Sequence, residues 1–223
     1  MIGIISDIHG NYFALKEVLE ELDRKGVSEV ICLGDVAGYY CQINECCEEL
    51  RKRGIFSILG NHDYYLVSES RPRRSRSAAI CLDYQRKMIR EDNLMWLSQM
   101  PISGSYAEIK LSHGGWNDPL EEYLVPNDRY FDELDGMYFC SGHTHVPKVF
   151  TSRNKIYCNP GSVGQPRDGD PRASYAIWED GKFELFRVEY DIEGIQNLMK
   201  AVGFEPNIAA NLSYGLRIGS VKE

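Results

Sequence analysis

The stretch MIGIISDIHG, residues 1–10, joins an apolar run directly to a short polar motif. The apolar part, residues 1–6, predicts a buried strand, and residues 11–24 carry apolar side chains at helical spacing up to Gly26. The same pattern then repeats, with strands predicted at 29–33 and 55–59 and a helix at 44–53. Strands that alternate with helices in this way favour parallel βαβ units.

The second half of the chain predicts mainly strands. Helices are predicted first, at about 75–90 and 94–99, and the strands that follow are predicted at 106–112, 137–141, 148–151, 155–158, 173–178 and 182–189. The last two flank Asp180-Gly181, a pair typical of a hairpin turn. A final helix covers about 192–202. Because no linker or internal repeat divides the chain, we expect one mixed α/β domain over residues 1–223.

Composition narrows the class of protein. Apolar residues make up 43% and charged residues 26% of 223 residues, values typical of a globular protein rather than a disordered or fibrous chain. With 25 basic and 33 acidic residues the net charge is −8, which disfavours long nucleic acids as partners. No apolar run approaches the roughly 18 residues that span a bilayer, so neither a membrane anchor nor a signal peptide is expected.

Cysteine usage indicates the compartment. The seven cysteines form an odd set without a CxxC pair, which predicts free thiols and a cytoplasmic protein. A structural zinc site built from these thiolates is the alternative.

All five histidines lie in short polar motifs that follow apolar runs. The motifs are DIHG at 7–10, GNHD at 60–63, HG at 113–114 and GHTH at 142–145, and a further motif, GD at 34–35, follows a predicted strand. Ligands of open α/β sheets bind beyond the carboxyl ends of the strands, so these side chains are expected to meet in one crevice.

The spacing and the residue types point to metal ions. Asp7 and His9, like His143 and His145, are two residues apart, and in an extended segment such pairs point the same way. Carboxylates, imidazoles and one amide oxygen, without thiolate, suit two divalent ions such as Mn²⁺, Fe²⁺, Co²⁺, Ni²⁺ or Zn²⁺. Each histidine taken alone is also compatible with a hydrogen-bonded structural residue.

In order and spacing, these motifs resemble those of the calcineurin-like metallophosphoesterases. The stretches GDVAGY at 34–39, GHTHVP at 142–147 and NPGSVGQPR at 159–167 are similar to a subgroup of small bacterial and archaeal members of the phosphodiesterase type. The resemblance implies an α/β fold, a four-layer αββα sandwich of mixed sheets. It also implies a dinuclear metal site at the C-terminal ends of the strands.

The resemblance further implies roles for single residues. Asp7, His9 and His145 would hold one ion, Asn61, His113 and His143 the other, and Asp35 would bridge both. Manganese is the predicted metal, with Fe, Ni, Co and Zn as alternatives. Hydroxide bridging the ions would attack phosphorus, and His62 would steady the phosphoryl oxygens and protonate the leaving group. Related phosphatases often orient this histidine with an aspartate after the GD motif, and residues 36–38 contain none.

The predicted activity is hydrolysis of a phosphodiester or of a nucleoside polyphosphate. A phosphomonoesterase acting on a nucleotide or phosphoprotein is the alternative chemistry, and a non-catalytic protein-interaction scaffold is the alternative from another class. The predicted partner is a small phosphorylated, nucleotide-like substrate, with no long nucleic acid and no membrane, and the sequence leaves the oligomeric state open.

Several residues near the motifs have two interpretations. Asn159, Arg167 and Arg73 are candidates for substrate binding, but Asn159 and Arg167 equally fit a turn with an exposed arginine. The arginines between 71 and 76 fit either a solvated loop or a lid over a polyphosphate. Tyr39 and Tyr40 fit either packing or stacking on a nucleobase, and Asp63 fits either a structural or an assisting role.

Overall fold

The computed structural model describes residues 1–72 and 75–220. Its α-helices are α1 Tyr12–Arg24, α2 Ile43–Lys52, α3 Asn61–Val67, α4 Arg76–Met88, α5 Glu91–Ser98, α6 Asp128–Asp132 and α7 Ile192–Ala201, and 3-10 turns cover Pro206–Ile208 and Ala210–Tyr214. The strands are β1 Ile2–Ile5, β2 Glu29–Cys32, β3 Phe56–Ser57, β4 Ser103–Tyr106, β5 Ile109–Ser112, β6 Tyr138–Cys140, β7 Lys148–Ser152, β8 Lys155–Asn159, β9 Ala173–Glu179 and β10 Lys182–Val188.

The strands form two mixed five-stranded sheets. The first has the order β10-β9-β1-β2-β3, in which β1, β2 and β3 are parallel and β9 runs antiparallel to β1. The second has the order β4-β5-β6-β8-β7, in which β5, β6 and β8 are parallel and the edge strands are antiparallel. The carboxyl ends of the parallel strands in each sheet therefore lie at a common edge.

The two sheets pack face to face across an apolar layer. Ile4 and Ile31 of the first sheet share this layer with Leu111 and Cys140 of the second. On its other face the first sheet is covered by α1, whose apolar stripe includes Leu15 and Leu19. The second sheet is covered by an aromatic cluster around Phe131 of α6. Helices therefore lie on both sides of the paired sheets, which confirms the predicted αββα fold.

The structure corrects the predicted elements in three places. Residues 106–112, predicted as one strand, are the end of β4, a turn at Ala107 with φ of 49°, and β5. The GNHD motif, for which the sequence predicts no helix, begins α3. The short helix α6 and the 3-10 turns had no counterpart in the predicted pattern, because each is too short for a period to emerge.

The seven cysteines are all free, as predicted. Among residues 1–72 and 75–220, the groups of side chains that could hold a metal ion contain no cysteine, which gives the alternative zinc site no support. None of the described helices is both long enough and apolar enough to cross a bilayer.

Candidate metal centre

The five motifs meet where the carboxyl ends of both sheets lie side by side. The loops after β1, β2 and β3 come from the first sheet, and the loops after β5 and β6 come from the second. They bring together three groups of possible ligands, in each of which one atom per residue lies within 4.8 Å of the others. The groups are Asp7 with His9 and His145, Asp35 with His113 and His143, and His9 with Asp35 and His62.

The backbone that presents these side chains is left-handed. The φ angles are 54° at Asp7, 55° at His9, 55° at Asp35, 63° at His143 and 60° at His145. The expectation that the paired residues sit in extended segments is therefore wrong, although both members of each pair still reach the centre. Left-handed conformations of non-glycine residues cost free energy and concentrate at functional sites, where the surrounding structure holds them.

Backbone hydrogen bonds hold these loops in place. The amide of Asp7 donates to Gly34 O at 3.0 Å and the amide of His9 donates to Asp35 O at 2.9 Å, so the first two loops are joined. The amide of Gly142 donates to His113 O at 2.9 Å, joining the two loops of the second sheet. The amide of His143 donates to the Asp7 carboxylate at 3.1 Å and links one sheet to the other.

Asp7, His9 and His145 form the first ligand group. His145 Nε2 lies 3.2 Å from Asp7 Oδ1 and 3.1 Å from His9 Nε2. All three side chains are buried.

Asp35 lies between this group and the second one. Its Oδ2 is 3.7 Å from His9 Nε2 and 3.3 Å from His113 Nε2. His113 Nε2 is in turn 3.1 Å from Asn61 Oδ1, and the rings of His113 and His143 have centroids 5.1 Å apart. The other carboxylate oxygen of Asp35 accepts the amide of His62 at 2.8 Å, which orients the side chain.

Carbonyl groups determine which imidazole nitrogen faces the centre. The Nδ1 atoms of His9, His113 and His145 lie 2.9, 2.9 and 2.6 Å from the carbonyl oxygens of Ala37, Leu33 and Gln165. A carbonyl only accepts, so each Nδ1 carries the hydrogen and donates it. The Nε2 atoms of His9 and His145 then present lone pairs to the centre, as metal-binding histidines do.

These donor atoms fit divalent ions. The lone pairs of His9 Nε2 and His145 Nε2 point at each other across 3.1 Å, an arrangement that repels unless a cation lies between them. Asp7 Oδ1 and His143 Nε2 are buried without a hydrogen-bond partner, and buried polar atoms are rarely left in that state.

Burial and mutual charge shift the pKa values of the cluster. Burial lowers the pKa of His143 to about 3 and holds the pKa values of His9 and His145 well below the ordinary range, so these imidazoles are neutral. Burial raises the pKa of Asp7 to about 6. Burial would also raise the pKa of Asp35, but the facing imidazoles of His113 and His62 outweigh it and lower the pKa.

His62 belongs to the third group of possible ligands and has one nitrogen without a hydrogen-bond partner. Its ring centroid is 4.9 Å from that of His9 and 5.0 Å from that of Tyr39. The ring is buried, its Nδ1 has no hydrogen-bond partner, and burial lowers its pKa. In the described part of the chain, no carboxylate forms an ion pair with His62, in line with the absence of an aspartate from residues 36–38.

Asp63 is a structural residue. Its carboxylate accepts the amide of Ala37 at 2.7 Å and the amide of Gly60 at 3.0 Å. It therefore ties the start of α3 to the loop that carries Asp35. Gly60 must be a glycine at this point, because a Cβ would overlap the Asp35 carboxylate.

The cluster opens into a cavity of about 620 Å³. Asp35, Asn61, His62, His143 and His145 form its floor, so four of the seven metal-ligand candidates border the cavity. A floor of imidazoles and carboxylates at the end of two sheets is the arrangement implied by the sequence motifs.

Family comparison agrees with this geometry. Residues 1–180 match the model of the calcineurin-like phosphoesterase superfamily domain. The chain belongs to this family. Calcineurin-like phosphoesterases are dimetal-dependent and cleave phosphate esters, which accounts for a buried cluster of aspartate and histidine beneath an open cavity.

Similar proteins occur in archaea and bacteria. The chain is 38% identical over 220 residues to an uncharacterized protein of Methanocaldococcus jannaschii, and the match covers 86% of this chain and 89% of that protein. It is 31% identical to a metallophosphoesterase of Sphaerobacter thermophilus of known structure, with a TM-score of 0.85 over 96% of this chain and 98% of that one. A hypothetical protein of Pyrococcus horikoshii shares the fold, with 19% identity, a TM-score of 0.86 and coverage of 96% and 99%.

The predicted substrate-binding residues lie in different places. Arg167 lines the cavity, and its guanidinium is held by Gln165 Oε1 at 2.6 and 3.0 Å above the ring of Tyr39. Asn159 is buried and does not line the cavity. Its amide nitrogen donates to Gly142 O at 2.7 Å and its amide oxygen accepts from Gly161 N at 2.9 Å, so its position favours support of the GHTH loop. Arg73 lies outside the described residues.

The two tyrosines after the GD motif differ. Tyr39 lines the cavity, which keeps a contact with substrate open, whereas Tyr40 is fully buried and its hydroxyl accepts from Gln165 Nε2 at 3.0 Å. Packing is therefore the role of Tyr40.

Glu121 is a cavity residue that sequence reasoning missed. Its carboxylate accepts from the Asn61 amide nitrogen at 3.5 Å and from the Tyr65 hydroxyl. The Asn61 amide nitrogen therefore faces Glu121, while its Oδ1 faces His113. The surrounding motif, Asp118-Pro119-Leu120-Glu121, has no period or spacing that could have indicated this contact.

Proposed function

We propose that the protein hydrolyses a phosphodiester or a nucleoside polyphosphate at a dinuclear metal centre. Asp7, His9 and His145 would hold one ion, Asn61, His113 and His143 the other, and Asp35 would bridge them. The observation that carries the proposal is the convergence of these buried carboxylates and imidazoles beneath one open cavity, where Asp7 Oδ1 and His143 Nε2 have no hydrogen-bond partner.

The position of Asp35 supports its bridging role. One oxygen faces His9 of the first group and His113 of the second, while the other accepts the amide of His62. A carboxylate held in this way keeps one oxygen directed at both groups.

Manganese is the proposed metal, because carboxylate, amide and imidazole donors without thiolate suit this ion. When bound, two divalent ions supply positive charge for the phosphoryl oxygens and lower the pKa of a water molecule.

The chain's own residues would orient the substrate and complete the reaction. Arg167, at the cavity wall, offers a planar guanidinium to phosphoryl oxygens. His62 would donate a proton to the leaving oxygen, since it lines the cavity next to Asn61 and its Nδ1 has no hydrogen-bond partner. Tyr39 and Tyr65 flank the His62 ring, with centroids 5.0 and 6.1 Å away.

To test this proposal, metal is removed from the protein with a chelator, and the protein is then loaded with Mn²⁺, Co²⁺, Ni²⁺ or Zn²⁺ in turn. Bound metal is measured by mass spectrometry, and turnover is measured with bis(p-nitrophenyl) phosphate and with p-nitrophenyl phosphate. We expect two ions per chain and a larger kcat/KM for the diester. A larger kcat/KM for the monoester would instead assign the protein as a phosphomonoesterase. Two bound ions without turnover of either compound, for any of the four metals, would favour the scaffold.

A further inference from the structure

A second cavity adjoins the metal-centre cavity. It has a volume of about 480 Å³ and shares Tyr39, Ser75, Tyr123 and Arg167 with the first, so the two form one continuous depression. The second cavity, called here the arginine cavity, is further lined by Arg217, from the tail after the last 3-10 turn.

The charge of the arginine cavity is opposite to that of the protein. No aspartate or glutamate lies among its described lining residues, although the whole chain has a net charge of −8. Nine arginines of the described residues form ion pairs with carboxylates: Arg24, Arg51, Arg53, Arg71, Arg86, Arg90, Arg153, Arg172 and Arg187. Arg167 and Arg217 form none with the carboxylates of residues 1–72 and 75–220, so this cavity concentrates uncompensated positive charge.

The chain segments that carry the two arginines are joined to each other. The loop that follows Arg167 is joined to the tail by a hydrogen bond from Gly169 N to Gly215 O at 3.0 Å. Gly215 has φ of 61°, and a Cβ there would lie 2.5 Å from Asp170 O, so the close approach of tail and loop depends on this glycine. Ile218 packs against the apolar cluster around Tyr40, which anchors the tail on the other side of Arg217.

The two aromatic rings of the arginine cavity are each covered by a guanidinium group. The guanidinium of Arg217 lies over Tyr123, 5.5 Å from the ring centroid, and that of Arg167 lies over Tyr39 at 5.6 Å. Tyr123 also contacts the ring of His143, at 4.3 Å between centroids. Stacking of a nucleobase would have to displace a guanidinium, whereas an anion would bind guanidinium N–H groups that the rings leave free.

We propose that the arginine cavity binds a second phosphate group of the substrate, next to the one placed at the metal centre. The preferred substrates then carry at least two phosphate groups, as nucleoside diphosphates and longer polyphosphates do. The inference rests on the proposed function and deepens it, because it selects polyphosphates over simple diesters. Arg167 contacts both cavities and Arg217 only the arginine cavity, so Arg217 is the residue that determines this preference.

The experiment measures binding and therefore does not depend on turnover. The Mn²⁺-loaded full chain is titrated calorimetrically with α,β-methylene-ADP, whose bridge resists cleavage, and with AMP. Wild type is compared with Arg217→Gln and with Arg129→Gln. Arg129 is an exposed arginine on α6 that lines neither cavity and forms no ion pair with the described carboxylates, so it is a matched control for the loss of one positive charge.

We expect wild type and Arg129→Gln to bind α,β-methylene-ADP about tenfold more tightly than AMP, the ratio typical of one charge-assisted contact. In Arg217→Gln this ratio should fall to about one. An unchanged ratio in Arg217→Gln would overturn the proposal. Equal weakening of both ligands would also overturn it, since the arginine cavity would then bind a group common to both. Equal affinity of wild type for the two ligands would overturn it as well.

Failure of the proposed function would look different. If wild type and Arg129→Gln turn over neither bis(p-nitrophenyl) phosphate nor p-nitrophenyl phosphate, but the binding ratio still depends on Arg217, the catalytic proposal fails and the second phosphate site stands. If turnover is observed and the binding ratio is the same in wild type and Arg217→Gln, only the proposal of a second phosphate site fails.

Discussion

The metal centre and the arginine cavity share a wall but differ in how their side chains are buried and held. In the metal centre the ligand candidates are buried, and carbonyl or amide groups orient His9, His113, His145 and Asp35. In the arginine cavity, Arg217 lies toward solvent and rests on the ring of Tyr123. The buried side chains of the metal centre are held in one geometry, as catalysis at bound metal ions requires. Guanidinium groups that are open to solvent can instead adapt to anions of different shape. Mutations should therefore affect the first region far more than the second.

The largest effect is expected from Asp35→Asn, which keeps the shape of the side chain and removes its charge. Asp35 faces both ligand groups, so its loss should lower bound metal below two ions per chain, as measured by mass spectrometry. Turnover should fall more than about a hundredfold, because even residues surrounding metal ligands contribute roughly ten- to a hundredfold.

Asp23→Asn is the matched control for this variant, since Asp23 is an exposed aspartate paired with Arg53 at 2.9 Å. Two bound ions and unchanged turnover in Asp35→Asn would remove the bridging role.

His62→Ala should separate proton transfer from metal binding. His62 is not among the proposed ligands, so the metal content should stay at the wild-type level. The value of kcat should fall about 10²- to 10⁴-fold, the usual contribution of a general acid. A rate equal to wild type would show that His62 takes no part in catalysis.

Arg167→Gln should have a smaller effect, on binding rather than on chemistry. Its guanidinium lines both cavities and is one of several positive charges there, so we expect KM to rise about tenfold with little change in kcat. Steady-state kinetics with bis(p-nitrophenyl) phosphate measure this, with Arg129→Gln as the control. A fall in kcat larger than the rise in KM would instead place Arg167 among the groups that stabilise the transition state.

Asn159→Ala should have the smallest effect on substrate binding and act mainly on stability. The variant leaves Gly142 O and Gly161 N without their side-chain partners, which should lower the free energy of unfolding by about 2 kcal/mol. Denaturant unfolding of the metal-loaded protein measures the change. A rise in KM without a loss of stability would support the sequence-based prediction that Asn159 binds substrate.

The regular elements followed from local patterns. The β1–α1 unit and the β9–β10 hairpin were predictable, because apolar periodicity and the Asp180-Gly181 turn are local signals. The pattern missed the turn at Ala107 and the helix that begins at Asn61. Both places lack a run of apolar residues long enough for local hydrophobicity to carry a signal.

The site was predictable as a set of residues but not as a geometry. The motifs named the side chains that meet at the edge of the two sheets, although the ligand roles stay predictions. The left-handed backbone at Asp7 and His9 was missed, since spacing alone cannot distinguish an extended segment from a tight turn. Likewise Asp63, which the sequence left open, proved to bind the backbone of Ala37 and Gly60.

By itself, the sequence determined which side chains are candidates for the chemistry and the order of most strands and helices, because both follow from patterns of neighbouring residues. The tertiary structure alone decided which imidazole nitrogen faces the centre, that Glu121 contacts Asn61, and that Arg217 lies near Arg167 beside the metal centre. These relations join residues distant in the chain. They arise only when the two sheets pack and their loops form hydrogen bonds with one another. The spacing of residues along the chain does not indicate that packing.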